Sequence, residues 1–299
     1  MKTALHTVSY GGAWPGQVAL PLTRVIEKAA AFGYHGVMVM AKRPHASLLD
    51  LDREARARLR GLMEDRGVAL ASIAGYTDFC GGCEHPEVPF REVQVLYVTE
   101  LARLARDLGG NLVRVFTGYP RDGYSYTQQW NWCVESLREC ARRAADLGVV
   151  IGVQNHHDLG CHYESLLDLL EEVNEPNCRA MFDAWSPALH GTDLVAAART
   201  MAPFTAQTTV ADYVRRPRFR YVPDLVNYVA EPPVVRAVPM GEGFIDYRGF
   251  LGALREGGFD GTVAYEMCSP MRGGGSEENL DRCARRFVEW MRENGFVDA

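Results

Sequence analysis

Apolar runs that end on acidic, amide or imidazole side chains recur in this chain. They are Gly152-Val153-Gln154-Asn155-His156-His157-Asp158, Met181-Phe182-Asp183-Ala184-Trp185, Gln207-Thr208-Thr209 ahead of Asp212, and Ala264-Tyr265-Glu266-Met267-Cys268. A carboxylate at the end of an apolar strand is costly to bury unless something pairs with it or binds it. Asp183 and Glu266 have that character. If the fold brings them together they can share one cation, and oxygen ligands with a nearby nitrogen suit Mg²⁺ or Mn²⁺ better than Zn²⁺. The competing reading pairs each with an Arg or Lys of a neighbouring strand. Strand neighbours alternate faces, so His156 shares the side of Gln154. Its near-neutral pKa suits a proton shuttle or an extra ligand. His157 faces the other way unless the strand is bulged.

Other candidates also follow strand ends. Lys42, Arg43 and His45, in Ala41-Lys42-Arg43-Pro44-His45, offer donors to an anionic or hydroxyl-rich molecule or simply line a solvated loop. Trp14, Tyr76, Phe79, Trp185 and Tyr213 present aromatic faces for a sugar ring or for core packing. Asp78 binds a hydroxyl or caps a turn. Arg272 sits in Ser269-Pro270-Met271-Arg272-Gly273-Gly274-Gly275-Ser276, a Gly-rich loop entering the last helix. Backbone N–H groups at such a helix start bind phosphate in many barrels. Glu277 and Glu278 in the first turn oppose an anion, which favours a sugar hydroxyl or a conformational role.

The elements that must position these residues alternate along the whole chain. Strand candidates fall at 5–9, 36–41, 69–74, 112–117, 149–154, 179–184, 204–211 and 261–267, each followed by a helical pattern, as at 99–108, 131–147 and 279–292. Several helices end on a Gly that leads straight into a strand, as in Phe32-Gly33-Tyr34 and Leu147-Gly148-Val149. Repeated βα units with right-handed crossovers close most simply into a single (β/α)8 TIM barrel spanning residues 1–299. A doubly wound open sheet is the alternative, and no GxGxxG after the first strand supports it. The stretch 214–243, with Pro217, Pro223, Pro232 and Pro233, reads as a long irregular loop after strand seven. Such loops serve as lids over the barrel mouth, as insertions or as contacts in a homo-oligomer.

Composition narrows the classes further. The chain has 299 residues, 47% of them hydrophobic, and a formal net charge of −6. That field repels phosphate backbones, so no nucleic acid partner is expected. No apolar run approaches the roughly 20 residues that span a bilayer, so no membrane association is expected. The first six residues lack the apolar stretch of a signal peptide, which points to a cytoplasmic protein. The eight cysteines then read as reduced thiols, and the lone CxxC, Cys80 and Cys83, reads as a loop.

The chain resembles the xylose isomerase-like barrel superfamily of sugar isomerases and epimerases. The likeness rests on Ala105-Arg106-Asp107-Leu108-Gly109, Phe182-Asp183-Ala184-Trp185, Gly241-Glu242-Gly243-Phe244-Ile245-Asp246 and Tyr265-Glu266. It implies a divalent ion, Mn²⁺ or Mg²⁺ rather than Zn²⁺, held by a Glu on strand five, an Asp on six, a His on seven and a Glu on eight. Asp183 and Glu266 match. Gln154 stands at the strand-five position, where its oxygen can coordinate but its amide cannot act as a base. Thr209 stands at the strand-seven position, with Gln207 two residues earlier on the same face.

The expected activity is proton transfer beside a carbonyl of a sugar or keto-sugar, through an enediolate, with a metal polarising the oxygens. Glu266 is the base and a ligand, His156 the partner acid or base, and Gln154, Asp183 and Thr209 complete the metal set. Lys42, His45, Trp185, Gln207 and Arg272 are the substrate-binding candidates. The nearest rival is β-elimination, by a lyase on a 3-keto glycoside or a dehydratase. A non-catalytic sugar-binding barrel is the rival from another class. A repair nuclease with a multi-zinc cluster is disfavoured, because strand three offers no ligand.

Overall fold

The computed structural model describes residues 1–82, 87–156 and 159–297. Cys83, His157 and Asp158 lie outside them. The barrel strands are β1 (Lys2–His6), β2 (Gly36–Met40), β3 (Ala69–Ala74), β4 (Leu112–Val115), β5 (Val150–Gln154), β6 (Cys178–Met181) and β7 (Gln207–Val210). After an inserted pair, β8 (Asp212–Val222) and β9 (Asn227–Val238), the last barrel strand is β10 (Thr262–Tyr265). These eight lie in the order β6-β5-β4-β3-β2-β1-β10-β7, and every neighbouring pair is parallel. The two ends meet through one parallel bridge, Ala180 with Thr205, where the Ala206 N–H donates to the Ala180 carbonyl at 2.8 Å. The fold is therefore a single (β/α)8 TIM barrel.

Helices fill the outside: α1 (Leu22–Ala31), α2 (Arg53–Asp65), α3 (Phe90–Asp107), α4 (Tyr126–Ala145), α5 (Tyr163–Val173), α6 (Trp185–His190), α7 (Leu194–Met201), α8 (Tyr247–Glu256) and α9 (Glu277–Glu293). Their apolar stripes pack on the outward faces of the strands in one continuous core. Side-chain oxygens cap several of them. Ser125 and Gln128 form a capping box at α4, and Ser276 accepts from the Asn279 N–H at α9. Gly33 and Gly148, predicted as helix ends, have φ of 79° and 65°, the left-handed cap that a side chain would strain.

Two departures from the sequence reading have clear causes. The first strand ends at His6, because residues Thr7–Tyr10 turn into a 3-10 helix, and the Thr7 hydroxyl accepts from the Met40 N–H at 2.9 Å. The stretch expected to be irregular after strand seven is instead the antiparallel hairpin β8–β9. Arg218 and Arg220 alternate with Phe219 and Tyr221, a strand pattern, and Pro217 falls at the register shift between Arg216 and Arg218, where a missing N–H breaks no ladder. The hairpin is anchored by buried Asp212, whose carboxylate accepts from the N–H groups of Tyr213, Gly241 and Gly243 at 2.9, 3.0 and 2.8 Å. A Cβ on Gly243 would collide with that carboxylate.

Inside the barrel, Ala4, Met38, Ala74, Leu112, Met181 and Ala264 form a separate apolar cluster. Side chains alternate along a strand, so the residue two positions on faces the same way, one layer nearer the mouth. That upper layer contains His6, Tyr76, Arg114, Gln154, Asp183, Thr209 and Glu266.

Candidate active site

Gln154 is the hub of this layer. Its Oε1 accepts from Arg114 Nη1 at 2.8 Å, and its Nε2 donates to Asp183 Oδ2 at 2.7 Å and to Thr209 Oγ1 at 3.0 Å. The Thr209 hydroxyl donates to the same Asp183 oxygen at 3.2 Å. The other Asp183 oxygen accepts from the Trp185 N–H at 3.1 Å, while the Asn155 side chain bonds both the N–H and the C=O of Asp183. Across the lumen, Glu266 Oε1 lies 3.6 Å from His6 Nε2. Ala74 and Gly152 are the register partners of Arg114 on the adjacent strands.

A cavity of about 140 Å³ opens over the network, lined by Gln154, His156, Asp183, Trp185, Tyr213 and Glu266 among others. A larger hollow of about 380 Å³ between Phe90 and Trp132 does not reach the lumen carboxylates. Burial pushes the Asp183 carboxyl up to about 7 against the pull of the Gln154 amide, and the neighbouring Glu266 charge adds to the rise. Burial also raises Glu266, opposed chiefly by the Arg114 charge. His6 is held well below its ordinary value by burial and by Arg114, so its ring is neutral. The site thus holds two carboxyls that resist sharing full ionisation, beside a permanent cation.

The sequence profile of the family described as "Xylose isomerase-like TIM barrel" matches residues 26–293. The chain belongs to that family. Solved structures of the same fold include D-psicose 3-epimerase from Clostridium cellulolyticum H10 with D-tagatose, 19% identical, covering 98% of this chain and 99% of that one at a TM-score of 0.74. An L-ribulose 3-epimerase is 17% identical, covering 100% and 98%, at 0.71. A probable 3-DHS dehydratase, AsbF, from Bacillus anthracis is 19% identical, covering 98% and 100%, at 0.73. At such identities these likenesses establish the fold. No curated protein sequence matches the chain.

The divalent-ion set that the family resemblance implied does not fit the side chains of this member. The only Gln154 atom able to coordinate a cation already accepts from a guanidinium. Its amide N–H groups point where an ion would have to sit, toward Asp183 and Thr209. An ion on Gln154 Oε1 would lie within about 5 Å of the Arg114 charge, a repulsion on the order of 7 kcal/mol at an effective dielectric constant of about 20. Among the described residues no three His, Cys, Asp or Glu side chains converge as a metal site.

The remaining predicted residues divide by position. His156 lines the same cavity as Gln154, its ring 5.0 Å from that of Trp185 and 5.4 Å from that of Phe116. Lys42 holds its Nζ 3.9 Å from the Tyr76 ring centroid, and burial with the Arg114 charge lowers its pKa. His45 is buried outside the cavity, one ring nitrogen 2.9 Å from the Thr7 hydroxyl and the other 3.0 Å from the Leu20 carbonyl. Gln207 lies one layer deeper, its amide 3.3 Å from the Met38 sulfur. Arg272 is half exposed and paired with Glu242 at 2.8 Å, while Asn279 ties down the carbonyls of Arg272 and Gly274. Asp78 caps a turn, accepting from the N–H groups of Cys80 and Tyr119 and from Arg121.

Sequence reasoning missed Arg114 and His6. The signal for Arg114 was present in Leu112-Val113-Arg114-Val115, a single charge in an apolar strand, the same pattern that singled out Asp183 and Glu266. His6 gave less, because its strand was expected to run on past it.

Proposed function

We propose that this barrel catalyses proton transfer at a carbon beside a carbonyl of a small hydroxylated substrate, a sugar or keto-sugar, as an isomerase or epimerase does. The observation that carries the reading is that two carboxyls, Asp183 and Glu266, line one small cavity, with Asp183 held there by the Gln154 amide and the Thr209 hydroxyl. Glu266 takes the proton. Its raised pKa makes it a stronger base than a solvated carboxylate, and it has His6 on one side and the open cavity on the other. Asp183, held by the Gln154 amide and the Thr209 hydroxyl and pushed by burial up to about 7, donates in its protonated form to charge that develops on the substrate oxygens. Trp185, Tyr213 and His156 supply flat faces and polar edges for a polyhydroxylated molecule. The epimerases of like fold support the sugar class.

One observation favours a second reading. Gln154 stands where a second carboxylate would return the proton from the opposite face, and Arg114 locks it in place. A single-base site suits elimination, in which the substrate loses a leaving group instead of being reprotonated, as in a lyase or dehydratase. Incubation of a panel of ketoses and 3-keto glycosides in D₂O, followed by NMR and mass spectrometry, decides between them. Deuterium gained in recovered sugar supports isomerase chemistry, and released aglycone or an enone supports elimination. Glu266→Gln is expected to lower either rate by about a thousandfold or more. No exchange and no product across the panel would leave only a binding role.

A further inference from the structure

Arg114 is fully buried in the barrel lumen, yet among the described residues it forms no ion pair with any carboxylate. Its guanidinium lies 4.0 Å from the Phe116 ring centroid and 4.9 Å from that of Tyr76, and its Nε and Nη2 have no hydrogen-bond partner. The contact it does make is the one from Nη1 to Gln154 Oε1. A buried arginine retained for packing is expected to sit in bidentate contact with a carboxylate. This one instead spends its directed hydrogen bond on an amide. A guanidinium has no acceptor, so the contact fixes which end of Gln154 faces it and forces the amide nitrogen toward Asp183 and Thr209.

We infer that the Arg114–Gln154 pair takes the place of a divalent cation in this barrel, so that the site works without a metal ion. The positive end of the amide, backed by the guanidinium charge, lies against Asp183 and Thr209 in the cavity that Glu266 also lines. Arg114 is in this sense a positioning residue: it lies outside the lining of the cavity, and it holds Gln154 in the orientation that closes the site to ions. The inference goes beyond the proton-transfer reading, and its test reads metal binding instead of turnover, so either can fail alone.

The test is Mn²⁺ titration of the purified full-length protein, after EDTA treatment, followed by EPR of free Mn²⁺ and by calorimetry. The wild type is expected to bind no Mn²⁺ tighter than the millimolar range. The double variant Arg114→Met with Gln154→Glu removes the fixed cation and restores a third carboxylate. Its affinity for Mn²⁺ is expected to rise by about 100-fold or more, a gain that loss of a merely structural arginine would not produce. Micromolar binding of one Mn²⁺ by the wild type would overturn the inference, and so would a folded double variant with no gain. If the double variant fails to fold, Gln154→Glu alone decides. A gain below about tenfold supports exclusion of the ion by Arg114, and micromolar binding overturns it.

Discussion

Glu266 shows what a reactive carboxyl costs the fold that holds it. It follows the apolar run Val263-Ala264-Tyr265, and burial raises its pKa although Arg114 opposes the shift. A carboxyl whose folded pKa lies above its unfolded value contributes stability that is complete below the unfolded pKa, near 4.5, and lost as pH rises through the folded one. Glu266→Gln cannot take on that charge. The variant is therefore expected to gain melting temperature relative to the wild type as pH rises above 4.5, while it loses activity. Thermal melts of the two proteins from pH 4 to 8 check the sign; a constant difference would show that Glu266 is not perturbed. Asp183 and Glu266 were legible in the sequence, because a charge at the end of an apolar strand must be explained by something. What met them was not legible, since Arg114 and Gln154 lie 40 positions apart in the chain.

Among the elements, the β8–β9 hairpin depends least on the rest of the molecule. Its base is tied by Asp212 and by Arg215, which donates to the Ala188 carbonyl and packs on Phe244. Its outer part exposes Phe219, Tyr221, Leu225, Val226 and Tyr228. An element that buries little contributes little to stability. Replacing residues 217–232 with a short turn is expected to shift the melting temperature by no more than about 2 °C. A larger loss in differential scanning calorimetry would show that the hairpin packs on something essential. The hairpin departs from the irregular loop expected because its prolines carry the strongest local signal, whereas the ladder forms only when residues on the two arms pair, from Val222 with Asn227 out to Asp212 with Val238. The helix–Gly junctions, by contrast, were legible because a left-handed cap is a local requirement.

For the whole molecule, the weak place is the seam. β4 and β5 share four register pairs, and so do β5 and β6, but β6 meets the end of the sheet through a single bridge. Strand pairs with fewer ladder bonds open more readily, so amides at the seam, Ala206 foremost, are expected to exchange faster than those of Val113 and Ile151. Hydrogen exchange read by NMR or mass spectrometry checks this, and equal protection around the barrel would refute it. Asp183 and Thr209 stand on the two sides of that seam, and Gln154 bridges to both. The hydrogen-bond hub therefore also helps to close the barrel.

The sequence by itself determined the eightfold alternation, the end of the barrel at which the polar side chains gather, and the two carboxyls that need partners. Those follow from periodicity and from the cost of burying charge, which act over a few residues. Only the tertiary structure decided what lies against Asp183 in the cavity that Glu266 also lines. Which side chain reaches that point depends on register, which sets Arg114 against Gly152, two residues before Gln154 on β5. Direct contact gives the Arg114 guanidinium the Gln154 oxygen, and the amide nitrogen then takes the place that a cation would need.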